Sequence, residues 1–431
     1  MVSTAFNPSL EFAQILDSKD PLQQFRQHFS LPGKTIYLNG NSLGLCSREG
    51  EASLLRVLNE WKSMGIGGWL NGDQPWFWMA EEIGKLMAPL VGARSGEVIC
   101  TGTTTVNQHA LLSTFYAPSG KKTKIVADEK NFPSDIYALK GHLKMRGYDP
   151  AQHLTLVPAE PDGSISEKRI LEYLTEEVIL ALLPSVYFRN GQLLDMERIT
   201  EAAHKKGIII GFDCSHSAGV VPHALSEMGV DFAYWCGYKY LNGGPGCPAF
   251  IYLNERHFGK EPMMTGWFGF QKERQFDMSL DFSHQRDAGG WQISTPSVLS
   301  MAPLKDALDL ILQAGIEQIR EKSMNLTTYL IALVDTLLSE PPYDFYIGTP
   351  TDPEKRGGHI ALRRKTDARQ IAQSLKSKNI ITDFRSPDII RVAPSPLYCR
   401  YEDIWIMIQS LKEIIDSREY ENQPESTMPI S

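Results

Sequence analysis

Two charged residues stand where apolar runs end. The run GIIIGFD closes on Asp213, and DFAYWCGYKY reaches Lys239 26 residues later, the interval of one helical crossover plus a strand. A lysine is costly to bury. Wedged between Tyr238 and Tyr240 and followed by LNGGPG, Lys239 is expected to be partly desolvated, a setting that frees a nucleophilic amine; a lysine snorkelling at a sheet edge would also fit. Asp213, at the end of a buried strand, needs a cationic partner such as a protonated ring nitrogen to stay ionised, or else it is a capping aspartate. His216 lies near the same ligand or is an ordinary core histidine. Upstream, TGTTTVNQHALLSTF (101–115) sets Thr104 and Thr105 at a helix start, where amides and hydroxyls suit a phosphate, although a simple cap needs only one of them. NFPSD (131–135) adds an aromatic face, Phe132, with Pro133, Ser134 and the carboxylate of Asp135. Phosphate anchor, ring stack, pyridinium partner and Schiff-base lysine, in that order, are what pyridoxal phosphate requires. No GxGxxG joins a strand to a helix, and neither a GxSxG elbow nor a P-loop occurs, which disfavours nicotinamide, serine-hydrolase and nucleotide-triphosphate chemistry.

These residues need a scaffold, and the pattern around them is α/β. Apolar runs at 124–128, 154–158, 178–184, 207–213, 231–238 and 249–253 alternate with helical patterns, and several are continuously apolar, as strands buried on both faces should be. Ahead of them IYLNGNSLGL (36–45), with Asn41 and Ser42, offers small turn-forming residues that let the backbone approach another group closely. Helices are expected over 51–64 and 76–91, separated by the glycine- and tryptophan-rich GIGGWLNGDQPW (65–76). After Pro296 the pattern turns helical, then mixed. We therefore expect an N-terminal segment (1–50), a large α/β domain (51–300), a smaller C-terminal α+β domain (301–418) and a disordered tail (419–431).

Composition bounds the rest. The 431 residues are 42% apolar and 22% charged, the profile of a globular protein large enough for an interior active site, and a net charge of −8 repels phosphate backbones and anionic lipid. Neither nucleic acid nor membrane is an expected partner. Six scattered cysteines without CxxC spacing argue against a zinc site or disulfide framework, and no secretory signal or transmembrane run is visible; a cytoplasmic protein with reduced thiols and no metal is expected.

YLNGNSLGL, Thr105-Val106-Asn107, FPSD, GFDCSHSAG, DFAYWCGYKYLNGGPG, GWFG (266–269) and IRVAPSPLY (390–398) together resemble the kynureninase family, over residues 20–415 and in the right order. The resemblance implies a fold-type I, class V aminotransferase-like architecture: a large domain on a mostly parallel seven-stranded sheet plus a small α+β domain. It implies a homodimer with active sites at the interface. The implied reaction is hydrolysis of L-kynurenine, and of 3-hydroxy-L-kynurenine, to the anthranilate and L-alanine in tryptophan catabolism. By similarity Lys239 bears the cofactor and shuttles the Cα proton, and Tyr238 supports proton transfer. Asp213 pairs with the pyridine nitrogen and Phe132 stacks on the ring. Thr104, Thr105, Tyr238 and Trp267 match phosphate positions, Asp135 and His216 positions near the ring, and Thr295 a position reaching across the dimer. Arg391 takes the substrate carboxylate, while Trp69, Asn41 and Ser42 line the aromatic pocket. Pro184-Ser185 occupies the stretch where the family has a hydroxyl residue beneath the cofactor, and Ser185 either serves there or does not. Other class V activities, aminotransferase or cysteine desulfurase with Cys399, and a non-catalytic ligand sensor are the alternatives.

Overall fold

The computed structural model describes residues 6–424. Thirteen strands are assigned among them: β1 (Ile36–Tyr37), β2 (Val98–Thr101), β3 (Lys124–Asp128), β4 (Leu154–Val157), β5 (Val178–Pro184), β6 (Ile209–Asp213), β7 (Phe232–Cys236), β8 (Ala249–Leu253), β9 (Tyr346–Ile347), β10 (Ile360–Arg363), β11 (Ile380–Ile381), β12 (Asp383–Arg385) and β13 (Ile389–Val392). Seven of them form the central sheet in the order β2-β8-β7-β6-β5-β3-β4. The pairings β4-β3-β5-β6-β7 are parallel, while β8 runs antiparallel to both its neighbours. Every residue of β7 and β8 is buried, and so are six of the seven in β5, because helices cover both faces. The mostly parallel seven-stranded sheet is thus as expected, and β2 is the strand the apolar pattern did not reveal. Its four residues are too few to declare a period.

The chain moves outward from β3 to β4, returns across β3 to β5, and then continues through β6 and β7. This reversal places a crevice beyond the carboxyl ends of β3, β5 and β6, where Asp128, Pro184 and Asp213 stand. C-terminal to it, a four-stranded antiparallel sheet, β12-β13-β10-β9, is backed by helix Ala368–Ser377 against β12 and β13 and by helix Ile316–Leu337 against β9, with Tyr401–Asp416 packed on both helices.

The N-terminal segment ties the two sheets together. Asp17 caps the last helix by accepting from the Tyr401 and Glu402 amides at 2.7 and 3.0 Å, β1 pairs with β11, and the Gly44 amide donates to the Tyr238 carbonyl at 2.8 Å. A Cβ on Gly44 would lie 2.4 Å from the Lys239 carbonyl oxygen, so only glycine permits this approach. The expected disordered tail needs correction over the part described: Glu419–Asn422 forms a 3-10 turn, and the Arg364 guanidinium lies 5.7 Å from the Tyr420 ring centre. Residues 425–431 of that tail lie outside the described residues. Among the described residues no helix is long and apolar enough to cross a membrane.

Candidate active site

A cavity of about 250 Å³ opens at the crevice, lined by Thr103, Thr104, Thr105, Phe132, Ser134, Asp135, Asp213, Ser215, His216, Tyr238 and Lys239. Strand ends and helix starts build it. Asp213 ends β6 and is nearly buried, one carboxylate oxygen accepting from the Ser215 amide at 2.8 Å. Lys239 follows β7 by three residues, and its Nζ lies 3.0 Å from His216 Nε2. On the opposite wall the helices Thr104–Phe115 and Pro133–Met145 begin side by side, joined by a 2.8 Å hydrogen bond between the Thr105 and Ser134 hydroxyls. Neither first turn is capped by a side chain. Their free amides and the threonine hydroxyls form an anion cradle. Pro133 opens its helix with φ already suited to the first turn. Phe132, 44% exposed, is held edge-on against Phe188 at 5.2 Å, which leaves ring surface for a planar group to stack on.

Electrostatics single out the same corner. Burial, reinforced by the Asp213 carboxylate beside it, holds the Asp135 carboxyl well above the usual range, and its Oδ2 has no partner. Burial, with Lys239 and then Arg391 nearby, pushes His216 well below the ordinary imidazole range. Burial raises the Tyr238 hydroxyl, with Cys236 adding to the effect. Unpartnered Asp135 Oδ2, Ser215 Oγ and His216 Nδ1, beside the free helix amides, mark a site that fits a polar, phosphorylated ring such as pyridoxal phosphate. Ser185 does not face it. The Ser185 hydroxyl turns to the Asp213 carbonyl at 3.2 Å and to Ser217 Oγ at 2.6 Å.

Arg391 on β13 is fully buried at the seam between the two sheets. Its guanidinium donates to the Phe188 carbonyl at 2.7 Å and to Ser42 Oγ at 3.0 Å, and it pairs with Asp383, which Ser42 Oγ also contacts at 3.0 Å. Burial lowers the Arg391 pKa and Asp383 opposes that shift. Asn41 next to it is fully buried with both side-chain polar atoms unpartnered. Asp383, Ser215 and Thr103 belong to the site and escaped the sequence reading. Only their places in the fold reveal them, apart from Thr103, which adjoins the threonines already noted.

Of the expected residues, Arg391, Asn41 and Ser42 stand at the seam and Pro133 in its helix start rather than in the cavity lining, and Trp69, Trp267 and Thr295 are not brought to the cavity within one chain. Trp69 packs edge-on against Trp76 at 5.8 Å, by a separate cavity of about 460 Å³ that Pro296–Ser300 closes. Trp267 is 48% exposed and packs on Phe268 and Phe276, and Thr295 is exposed. The surrounding surface is apolar, with Trp61, Ile66, Leu70, Phe276 and Leu280 all more than half exposed.

Comparison with known proteins places these features. Residues 319–411 match the model of the kynureninase C-terminal domain. The chain is 51% identical over 420 residues to the kynureninase of Geobacillus thermodenitrificans, covering 97% of each chain, and 50% identical over 410 residues to that of Shouchella clausii, covering 95% of each. Among solved structures it resembles a cysteine desulfurase from Thermococcus onnurineus (TM-score 0.76, 17% identity, 92% of this chain and 98% of that one). It also resembles a C-DES mutant with glycine linked to its pyridoxal-phosphate cofactor (TM-score 0.77, 16% identity, 90% and 98%). At such identities these two likenesses concern the fold, which is that of the fold-type I pyridoxal-phosphate enzymes. A desulfurase needs an accessible thiolate. Cys399 is buried, its pKa pushed up to about 12 chiefly by burial, and its Sγ donates to the Tyr37 carbonyl at 3.2 Å.

Proposed function

This chain belongs to the kynureninase family, pyridoxal-phosphate hydrolases of a carbon–carbon bond, and from that premise we propose how its own residues divide the work. The cofactor, when bound, supplies the electron sink that lets bonds at the α- and β-carbons of L-kynurenine break. Lys239 would hold it through its amine, which would also carry the substrate's α-proton. Asp213 keeps the pyridine nitrogen protonated, and His216 and Asp135 complete the ring's polar surroundings. Phe132 stacks on the ring, and Thr104, Thr105, Ser134 and the two helix starts, the second opened by Pro133, hold the phosphate. Tyr238, beside Lys239, supports the proton transfers of the cleavage that releases anthranilate and L-alanine. Arg391 takes the substrate α-carboxylate in bidentate fashion, and Asn41 and Ser42 line the adjoining pocket.

The unit comprising residues 51–300 carries the cofactor and 301–418 the smaller domain. Trp69, Trp267 and Thr295 act in the site of a second copy in a homodimer; the apolar surface around them supports this assignment. Tryptophan at 69 and threonine at 295 favour unhydroxylated kynurenine, with 3-hydroxykynurenine a lesser substrate. The six cysteines, all free, are consistent with a cytoplasmic protein. The observation that carries the division of labour is the 3.0 Å contact of Lys239 with His216 on a cavity wall shared with Asp213. Substituting Lys239→Ala tests it, since the visible band of the holoenzyme and its turnover should disappear together.

A further inference from the structure

His359, the residue before β10, is fully buried; its ring lies by the Phe188 and Tyr187 carbonyls, and neither nitrogen makes a well-formed hydrogen bond. Buried polar groups are almost always paired; the carbonyls can take only an N–H, so the nitrogen that carries the lone pair still lacks a partner. The sheet register places this ring. Arg391 stands opposite both Ala361 on β10 and Asp383 on β12, and His359, two residues before Ala361, shares their face. From the other side the His359 ring centre lies 5.7 Å from that of His216, which contacts Lys239. His359 therefore stands between the Lys239–His216 pair and Arg391.

When Lys239 Nζ donates across the 3.0 Å contact, the Nε2 of His216 accepts, and the proton of that neutral ring then sits on Nδ1. This Nδ1–H is buried without a partner, and the imidazole beside it belongs to His359. We propose that His359 is a positioning residue that accepts the His216 Nδ1–H through one bridging water, and so keeps the Nε2 lone pair of His216 turned on the Lys239 nitrogen. Both rings stay neutral at neutral pH. Burial, with Arg391 and Lys239 adding to it, lowers the His359 pKa to about 3, and His216 is likewise depressed. The ionisable groups around the pair are Lys239, Asp213, Asp135 and Tyr240 from the large sheet and its loops, with Arg391, Asp383 and Arg385 from the small one. The inference rests on Lys239 as the lysine that bears the cofactor.

The test is a pH titration of the visible band of the holoenzyme. Phenylalanine cannot accept a hydrogen bond, so His359→Phe should lower the midpoint by about half a unit or more, a roughly threefold change in the protonation constant. It should lower kcat while KM changes by less than about twofold. His359→Gln retains an acceptor and should stay near the wild-type midpoint. Where the Phe variant fails to fold with cofactor, His359→Ala makes the same comparison. Coincident midpoints for wild type and the non-accepting variants, or a Gln variant shifted as far as Phe, would overturn the proposal. A wild-type protein with no such band would instead overturn the assignment of Lys239.

Discussion

The Lys239 cavity and the Trp69–Trp267 surface are both rich in residues matching one family's active site, yet they are built in opposite ways. The cavity is closed within one chain: a strand-end aspartate, a strand-end lysine and two helix starts converge, and the polar atoms left unpaired are those a cofactor would satisfy. The outer surface holds Trp267 and apolar neighbours such as Leu70 and Phe276 largely in solvent, outside the lining of the Lys239 cavity. An open α/β sheet positions polar groups at one edge by topology alone. Exposed aromatics acquire a function only from what covers them. The first region should therefore respond to substitution as a unit within each chain, and the second should act across chains.

The sharpest break between them is at Lys239. Substitution to alanine should reduce turnover by about 10³-fold or more and abolish the visible band, while the far-UV spectrum and association state stay unchanged. Wild-type turnover in that variant would remove the cavity from the mechanism. Arg391 lies at the seam, where its planar fork serves two or more acceptors. Arg391→Lys should raise KM for kynurenine by roughly 10- to 100-fold with a smaller effect on kcat. An unchanged KM would place carboxylate recognition elsewhere.

The outer surface is probed by mixing. A chain with Trp69→Ala and Trp267→Ala should lose about tenfold or more in activity. Co-refolding it with an equal amount of Lys239→Ala chain should restore about a quarter of wild-type activity, because half the pairs are mixed and each holds one intact site of two. Failure to complement would confine each site to a single chain. The smallest effect concerns the scaffold beneath the phosphate cradle. His142 Nε2 lies 3.0 Å from His109 Nδ1, and burial lowers the His142 pKa to about 4. The unfolded chain takes up that proton near pH 6.5 while the folded one resists it until about 4, so stability falls as pH drops through this window. His142→Asn should flatten that decline by a few degrees in Tm, as read by thermal melts between pH 7 and 4.

Much of the first region was legible in the sequence because it obeys one rule: continuous apolar runs are strands, and polar residues at their ends face the crevice. Asp213, Lys239 and FPSD follow it, while the threonines were legible as hydroxyls at a helix start. Where the elements shorten, legibility fades. The strands of the small sheet have two to four residues, so no periodicity announces that Asp383, Arg391 and His359 share a face. Ser185 illustrates the limit differently, since the resemblance left its contact with the cofactor open and only the path of the backbone turns its hydroxyl to Ser217. The last turn at Glu419–Asn422 was hidden by its polar composition, although the Tyr420 ring meets Arg364 and Glu419 pairs with Lys378 at 3.5 Å.

The central claim is that the Lys239 cavity carries out hydrolytic cleavage of kynurenine on bound pyridoxal phosphate. It is tested most directly in one cuvette: the visible spectrum of the purified protein, followed by L-kynurenine without any keto acid, with anthranilate fluorescence and L-alanine as readouts. A coloured protein that releases both products in equal amounts is the predicted result. A coloured protein that leaves kynurenine intact, or that consumes it only when a keto acid is supplied, would contradict the account.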